Sequence, residues 1–74
     1  MTTEREQQFY EQWNKAPPRL QRALYDFARY PYVHNNQSYI IGFIAGVNAD
    51  QYWIAVAGQM PADILHLIVK EYEK

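Results

Sequence analysis

The stretch Tyr39-Ile40-Ile41-Gly42-Phe43-Ile44-Ala45-Gly46-Val47 decides the fold of this 74-residue chain, because it fits two different secondary structures. It contains no charged side chain, and it is rich in the β-branched and aromatic residues that buried strands prefer. As a strand it pairs with residues 32–34 across a turn at Asn35-Asn36. It pairs also with residues 52–57 across a turn at residues 48–50, since asparagine tolerates the backbone conformations of tight turns.

The same stretch also fits a helix. That interpretation aligns small residues on one face, where another helix would approach closely: Gly42, Ala45, Gly46 and Ala49. Asn48, with Gln51 three residues later, then predicts the cap of a further helix over 49–57 that ends at Gly58. Two glycines inside one helix cost about 1 kcal/mol each relative to alanine. Strands are therefore the preferred interpretation, and the helix is the alternative.

The flanking segments are predicted to be helical. Residues 3–14 form the first helix, with Thr2 or Thr3 as its cap. Residues 18–29 form the most clearly amphipathic helix, and residues 61–73 form the last. Prolines stand at the boundaries of these segments: Pro17, Pro18, Pro31 and Pro61.

Together these segments predict an α+β fold with two N-terminal helices, a short antiparallel hairpin or three-strand meander, and a C-terminal helix on the sheet. The alternative is an all-α bundle of four or five short helices. Residues 1–74 are expected to form one small domain, because the chain is too short for two.

Composition indicates the cellular compartment and excludes some ways of stabilising the domain. The chain has no cysteine, which excludes disulfides and zinc sites with thiolate ligands and fits the cytoplasm. The N-terminus has no apolar segment of the secretory kind. Residues 39–60 have about the length of a membrane span, but Asp50 would lie near the middle at a cost of about 2.5–3.5 kcal/mol. A membrane partner is therefore not expected.

No motif predicts catalysis, a metal or a cofactor. Ser38 and His34 lie close in sequence, but no acid is placed to orient the histidine. Asp63 and His66 are three residues apart on one predicted helix face, yet a structural metal site needs four ligands. We expect a protein that is not an enzyme and binds no cofactor.

A cluster of basic residues supports one binding hypothesis. Residues 15–29 carry a net charge of +3, although the whole chain has −1. Phosphate-binding cations are expected on this helix face if the protein is a nucleic-acid-binding accessory: Lys15, Arg19, Arg22 and Arg29. The near-neutral total charge makes this the alternative function.

Aromatic residues support the preferred hypothesis. They make up 16% of the chain, and a core of this size cannot hide them all. The predicted protein-binding residues are Tyr32, Tyr39, Phe43, Tyr52 and Trp53. The sequence therefore predicts a small protein-binding, regulatory module that forms a homodimer. From its size alone we expect it to inhibit or adapt a larger complex, as small phage-encoded accessory proteins do. Its protein partner is not identified by any motif.

Overall fold

The computed structural model describes residues 3–47 and 50–74, and all regular secondary structure within them is helical. Five helices follow in order: α1 (Glu4–Lys15), α2 (Pro18–Arg29), α3 (Asn36–Val47), α4 (Gln51–Gln59) and α5 (Ala62–Tyr72). The predicted α+β class is therefore wrong, and the alternative all-α bundle fits the structure.

The segments predicted as strands form two helices and a connection. Residues 32–34 belong to the connection between α2 and α3, residues 39–47 to α3, and residues 52–57 to α4. The buried residues of α3 are Ile40 and Ile44. A separation of four positions puts two residues on the same side of a helix and of a strand alike, so this spacing does not distinguish the two.

The α4 helix has the three-and-four spacing that only a helix produces. Its buried residues are Trp53, Val56 and Ala57. Asp50 caps its start, because the carboxylate accepts a hydrogen bond from the backbone N–H of Tyr52 at 2.8 Å.

Both ends of α4 differ from the sequence prediction. The predicted cap, Asn48, lies outside the described residues. Gly58 does not end the helix, which continues to Gln59. Met60 takes the left-handed conformation after it, with φ 52°, and its N–H donates to the Val56 carbonyl. The backbone bond to Val56 fixes this turn although methionine adopts positive φ less easily than glycine.

The three flanking helices form close to their predicted bounds. The Thr3 hydroxyl caps α1 by accepting from the N–H of Glu6 at 3.1 Å, whereas Thr2 lies outside the described residues. The α2 helix spans the predicted residues 18–29, and Pro61 immediately precedes α5. The Gln21 amide donates to the Trp13 carbonyl at 2.8 Å, which ties the end of α1 to α2.

One apolar core joins all five helices. The α2 helix packs against both α3 and α5, and α3 packs also against α4. Buried side chains from every helix form the core: Phe9, Trp13, Ala16, Leu20, Leu24, Phe27, Ile40, Ile44, Trp53, Val56, Ala57, Ile64 and Ile68. Because α3 meets α2 on one side and α4 on another, the rest of α3 faces outward.

Candidate protein-binding groove

An open groove of about 590 Å³ lies between α2 and α3. The volume is within the range of about 300–1,000 Å³ that ligand-binding clefts occupy. Residues from both helices line it: Pro18, Arg19, Arg22, Ala23, Asp26, Phe27, Asn36, Tyr39, Ile40 and Phe43. The α3 members recur at spacings of three and four, so one face of α3 forms one wall.

The floor of the groove is apolar. Phe27 and Ile40 are buried at the bottom, and Phe43 is half-buried beside them. Ala23 stands on the α2 wall. Its side chain is a single methyl group, which packs against the core.

Two aromatic rings stand on the α3 wall. The ring centroids of Tyr39 and Phe43 are 6.2 Å apart, and the planes are tilted by 34°. Tyr39 is 66% exposed. An exposed aromatic ring beside an apolar floor is the kind of residue that supplies binding energy at protein interfaces.

The α2 lip carries the charges of the groove. The Arg22 guanidinium lies 3.6 Å from the Asp26 carboxylate, and both side chains are exposed. A hydrogen bond with the Tyr72 side chain, and then the charge of Asp26, raise the pKa of Arg22 above its usual value. Within the described part of the chain Arg19 forms no ion pair, so its charge is free to meet a ligand.

Polar contacts hold α2 against the C-terminal end of α5, away from the groove. Glu73 accepts from the Tyr25 hydroxyl at 2.6 Å and from Arg29 at 2.7 Å. The Tyr25 and Tyr72 rings stack with centroids 4.5 Å apart. The hydrogen bond to Glu73, and then burial, raise the pKa of Tyr25. These contacts occupy Arg29, which does not line the groove.

The structure brings together only some of the predicted protein-binding residues. Tyr39 and Phe43 share the groove. Tyr32 is 88% exposed in the connection between α2 and α3 and lies outside it. Trp53 is fully buried, and its ring packs edge-on against Tyr52 with centroids 4.8 Å apart. Tyr52 is half-buried, and that burial is the main cause of its raised pKa.

Only two of the four predicted nucleic-acid-binding residues lie in the groove. Arg19 and Arg22 line the groove, whereas Arg29 is bound to Glu73 and Lys15 is exposed at the end of α1. Sequence reasoning thus assigned the two walls of one groove to two different functions. It missed the residues between them: Pro18, Ala23, Asp26, Phe27, Asn36 and Ile40. A helical interpretation of residues 36–47 would have aligned the α3 members of that set.

The residues considered for catalysis and metal binding are not assembled into a site. His34 is exposed, with φ 42°, in the connection between α2 and α3, and Ser38 is exposed in the first turn of α3. Asp63 binds Arg5. Among the described residues there is no group of three or more potential metal ligands.

Comparison with known protein families, with curated proteins and with solved structures finds no match. In the described part of the chain no single helix is long and apolar enough to cross a membrane. The α4 and α5 helices have that length and composition together, but the chain bends by 113° between them.

Proposed function

We propose that this protein is a small, non-enzymatic protein-binding module of the inhibitor or adaptor kind, and that the α2–α3 groove is its contact surface. The observation that carries the proposal is the open groove of about 590 Å³ with Tyr39 and Phe43 on its wall. The exposed Tyr39 ring and the half-buried Phe43 ring leave aromatic surface in contact with water, and apolar recesses with aromatic walls on small proteins commonly mark binding sites.

The uneven charge of the groove supports a protein partner over nucleic acid. The groove has two arginines, Arg19 and Arg22, and Asp26 lowers the net charge of its lining to +1, while Arg29 is held at Glu73 outside the groove. A run of phosphates is neutralised by several cations, so this lining suits one or two carboxylates of a protein better than a phosphate backbone. Nucleic-acid binding through Lys15, Arg19, Arg22 and Arg29 stays a prediction that the experiment below also tests.

A matched pair of tyrosines provides the test. Tyr39 lines the groove and Tyr32 does not, while both rings are exposed. A photo-crosslinking aromatic amino acid replaces Phe43 on the groove wall. Crosslinking is done in lysate of the native host, once with nuclease and once without.

The expected result is a discrete protein adduct that survives nuclease, disappears with Tyr39→Ser and persists with Tyr32→Ser. The loss follows because serine removes the ring from the wall but, being at an exposed position, leaves the fold unchanged. Adducts that both variants form equally, or that vanish with nuclease, would contradict the proposal. The second outcome would favour the arginines of α2.

Self-association and a cytoplasmic location also belong to the proposal. Sedimentation velocity over a wide range of protein concentration tests whether the chain forms a dimer through the groove. A dimer that dissociates when Tyr39 becomes serine would place the second copy in the groove. A sedimentation coefficient that does not change with concentration would contradict self-association.

A further inference from the structure

We infer that the α2–α3 groove takes an amphipathic helix that has carboxylates beside its apolar stripe. This inference rests on the proposed protein-binding function and adds the chemistry of the partner. It is carried by the charge of the lip, where Arg19 has no ion pair within the described residues and Arg22 has only an exposed one.

The dimensions of the groove suit a short helix. Its lining on α2 runs from Pro18 to Phe27, and at 1.5 Å per residue this is about 13 Å, or two and a half turns. A helix bound in a groove inserts side chains at positions i, i+3 or i+4, and i+7, which span about 10 Å and so fit within this length. The apolar floor at Phe27, Ile40 and Phe43 would receive these side chains.

The two walls differ in charge, which fixes the side on which the partner is acidic. Residues 30–47, which include all of α3, contain no Asp, Glu, Lys or Arg. On α2 the groove has Arg19, Arg22 and Asp26, a net charge of +1. Carboxylates of the partner are therefore expected along the α2 lip, where they pair with guanidinium groups.

The Arg22–Asp26 pair does not block this binding. Its atoms are 3.6 Å apart and both side chains are largely in solvent, so water screens their attraction. A partner carboxylate placed at Arg22 therefore competes with this weak pair and with the hydrogen bond to Tyr72, whereas Arg19 has no ion pair among the described residues. Asp26 instead gives direction, because it lies seven residues, about 10 Å along the helix, from Arg19. A carboxylate favoured at the Arg19 end is repelled at the Asp26 end.

Two designed peptides test the inference with the full chain. Both are labelled helical peptides with the same leucines at i, i+3, i+4 and i+7, and one has glutamates while the other has lysines beside that stripe. Fluorescence anisotropy measures the dissociation constants at low and at physiological salt. We expect the glutamate peptide to bind about five- to tenfold more tightly at low salt, and the difference to shrink as salt rises.

Charge-reversed variants locate the effect. Arg19→Glu is expected to reverse the preference, whereas Lys70→Glu, an equal change of charge at an exposed position outside the groove, is expected to keep it. Both sites are exposed, so both variants should keep the wild-type circular dichroism spectrum and melting temperature.

The outcomes distinguish failure of the acidic-helix inference from failure of the proposed protein-binding function. Equal binding of the two peptides, with loss in Tyr39→Ser, would overturn the acidic partner and leave the groove as a protein-binding site. Equal effects of Arg19→Glu and Lys70→Glu would show attraction by the total charge alone, and would also overturn it. No binding of either peptide would count against both. A labelled single-stranded oligonucleotide that outcompetes the glutamate peptide would assign the lip to nucleic acid.

Discussion

Arg5 and Asp63 form a doubly hydrogen-bonded ion pair that joins α1 to α5, although 58 positions separate them in the chain. Arg5 Nε donates to Asp63 Oδ2, and Arg5 Nη2 donates to Asp63 Oδ1 at 3.2 Å. These hydrogen bonds are the main cause of the lowered pKa of Asp63. The first and last helices of the bundle are thereby linked at the surface.

The direction of this pKa shift predicts how stability depends on pH. A carboxyl with a lower pKa in the folded state adds stability above its unfolded pKa, about 3.9, and the contribution is lost as the pH falls through the folded value. Asp63→Asn should therefore unfold at lower urea than the wild type at pH 7, and the two midpoints should converge below about pH 4.

A double-mutant cycle separates the pair from other effects of the asparagine. In an Arg5→Gln background, Asp63→Asn is expected to change the urea midpoint less at pH 7 than it does in the wild type. Because both side chains are exposed, added salt should also reduce the effect. A difference between wild type and Asp63→Asn that stays constant from pH 7 to pH 3 would mean that the pair does not stabilise the fold.

Two glycines inside α3 give a second prediction. A Cβ atom added at Gly42 or at Gly46 would meet nothing within 4 Å, and neither backbone has positive φ. Alanine at either position should therefore raise the free energy of unfolding by about 0.5–1 kcal/mol, since it restricts the unfolded chain without a clash. Urea unfolding measures the change.

The reverse substitution is the matched control. Ala45 lies between the two glycines and is exposed, so Ala45→Gly should lower the free energy of unfolding by a similar amount. Loss of stability in both Gly42→Ala and Gly46→Ala would mean that this face of α3 is in contact with something, such as a second copy of the chain.

These glycines also explain where sequence reasoning succeeded and where it did not. The α2 helix could be predicted to its ends, because its charged and apolar residues alternate at helical spacing between Pro17 and Pro31. In α3 the same evidence is missing. Gly42 and Gly46 disfavour a helix. The other residues of the segment 39–47 are apolar or aromatic, so the segment has no polar face that would mark an amphipathic helix. Contacts with α2 and α4 decide its structure, and these are not visible in the local sequence.

The candidate site was predictable in its parts and not in its arrangement. Arg19 and Arg22 stood out by charge, and Tyr39 and Phe43 stood out as aromatics on an apolar segment. That they face one groove depends on α3 being a helix that packs against α2. Trp53 shows the opposite case: its aromatic character suggested an interface, but helical spacing in α4 turns it into the core.

The burial of Trp53 leads to a third prediction. Its ring packs edge-on against Phe9 and Trp13, with centroid distances of 6.0 and 6.2 Å. Trp53→Ala should cost about 3–5 kcal/mol, which equals the whole stability expected for a domain of this size, so the variant should be unfolded by circular dichroism.

Two further variants distinguish core packing from surface chemistry. Trp53→Phe should cost less than Trp53→Ala and remain folded, because it keeps an aromatic ring and removes an indole N–H that has no hydrogen-bond partner among the described residues. Tyr32→Ala should change stability by no more than about 0.5 kcal/mol, as its ring is exposed. A folded, stable Trp53→Ala protein would contradict the position of this side chain.

Gln37 gives the last prediction, because it fixes the start of α3 to the end of α4. Its side-chain amide donates to the carbonyls of Ala57 and Gly58 at 3.1 and 3.0 Å, which are among the unpaired carbonyls at the end of a helix. Gln37→Ala should lower the free energy of unfolding by about 0.5–1.5 kcal/mol.

Gln37→Glu should lower the free energy of unfolding further at pH 7, since a carboxylate cannot donate and faces the negative end of the α4 dipole. Lowering the pH protonates that carboxylate, so the Gln37→Glu deficit, measured by urea unfolding, should narrow toward pH 4, whereas the Gln37→Ala deficit should not. If the Gln37→Glu variant has the same loss of stability at pH 7 and at pH 4, the lost amide hydrogen bonds, and not the charge at the helix end, account for the whole effect.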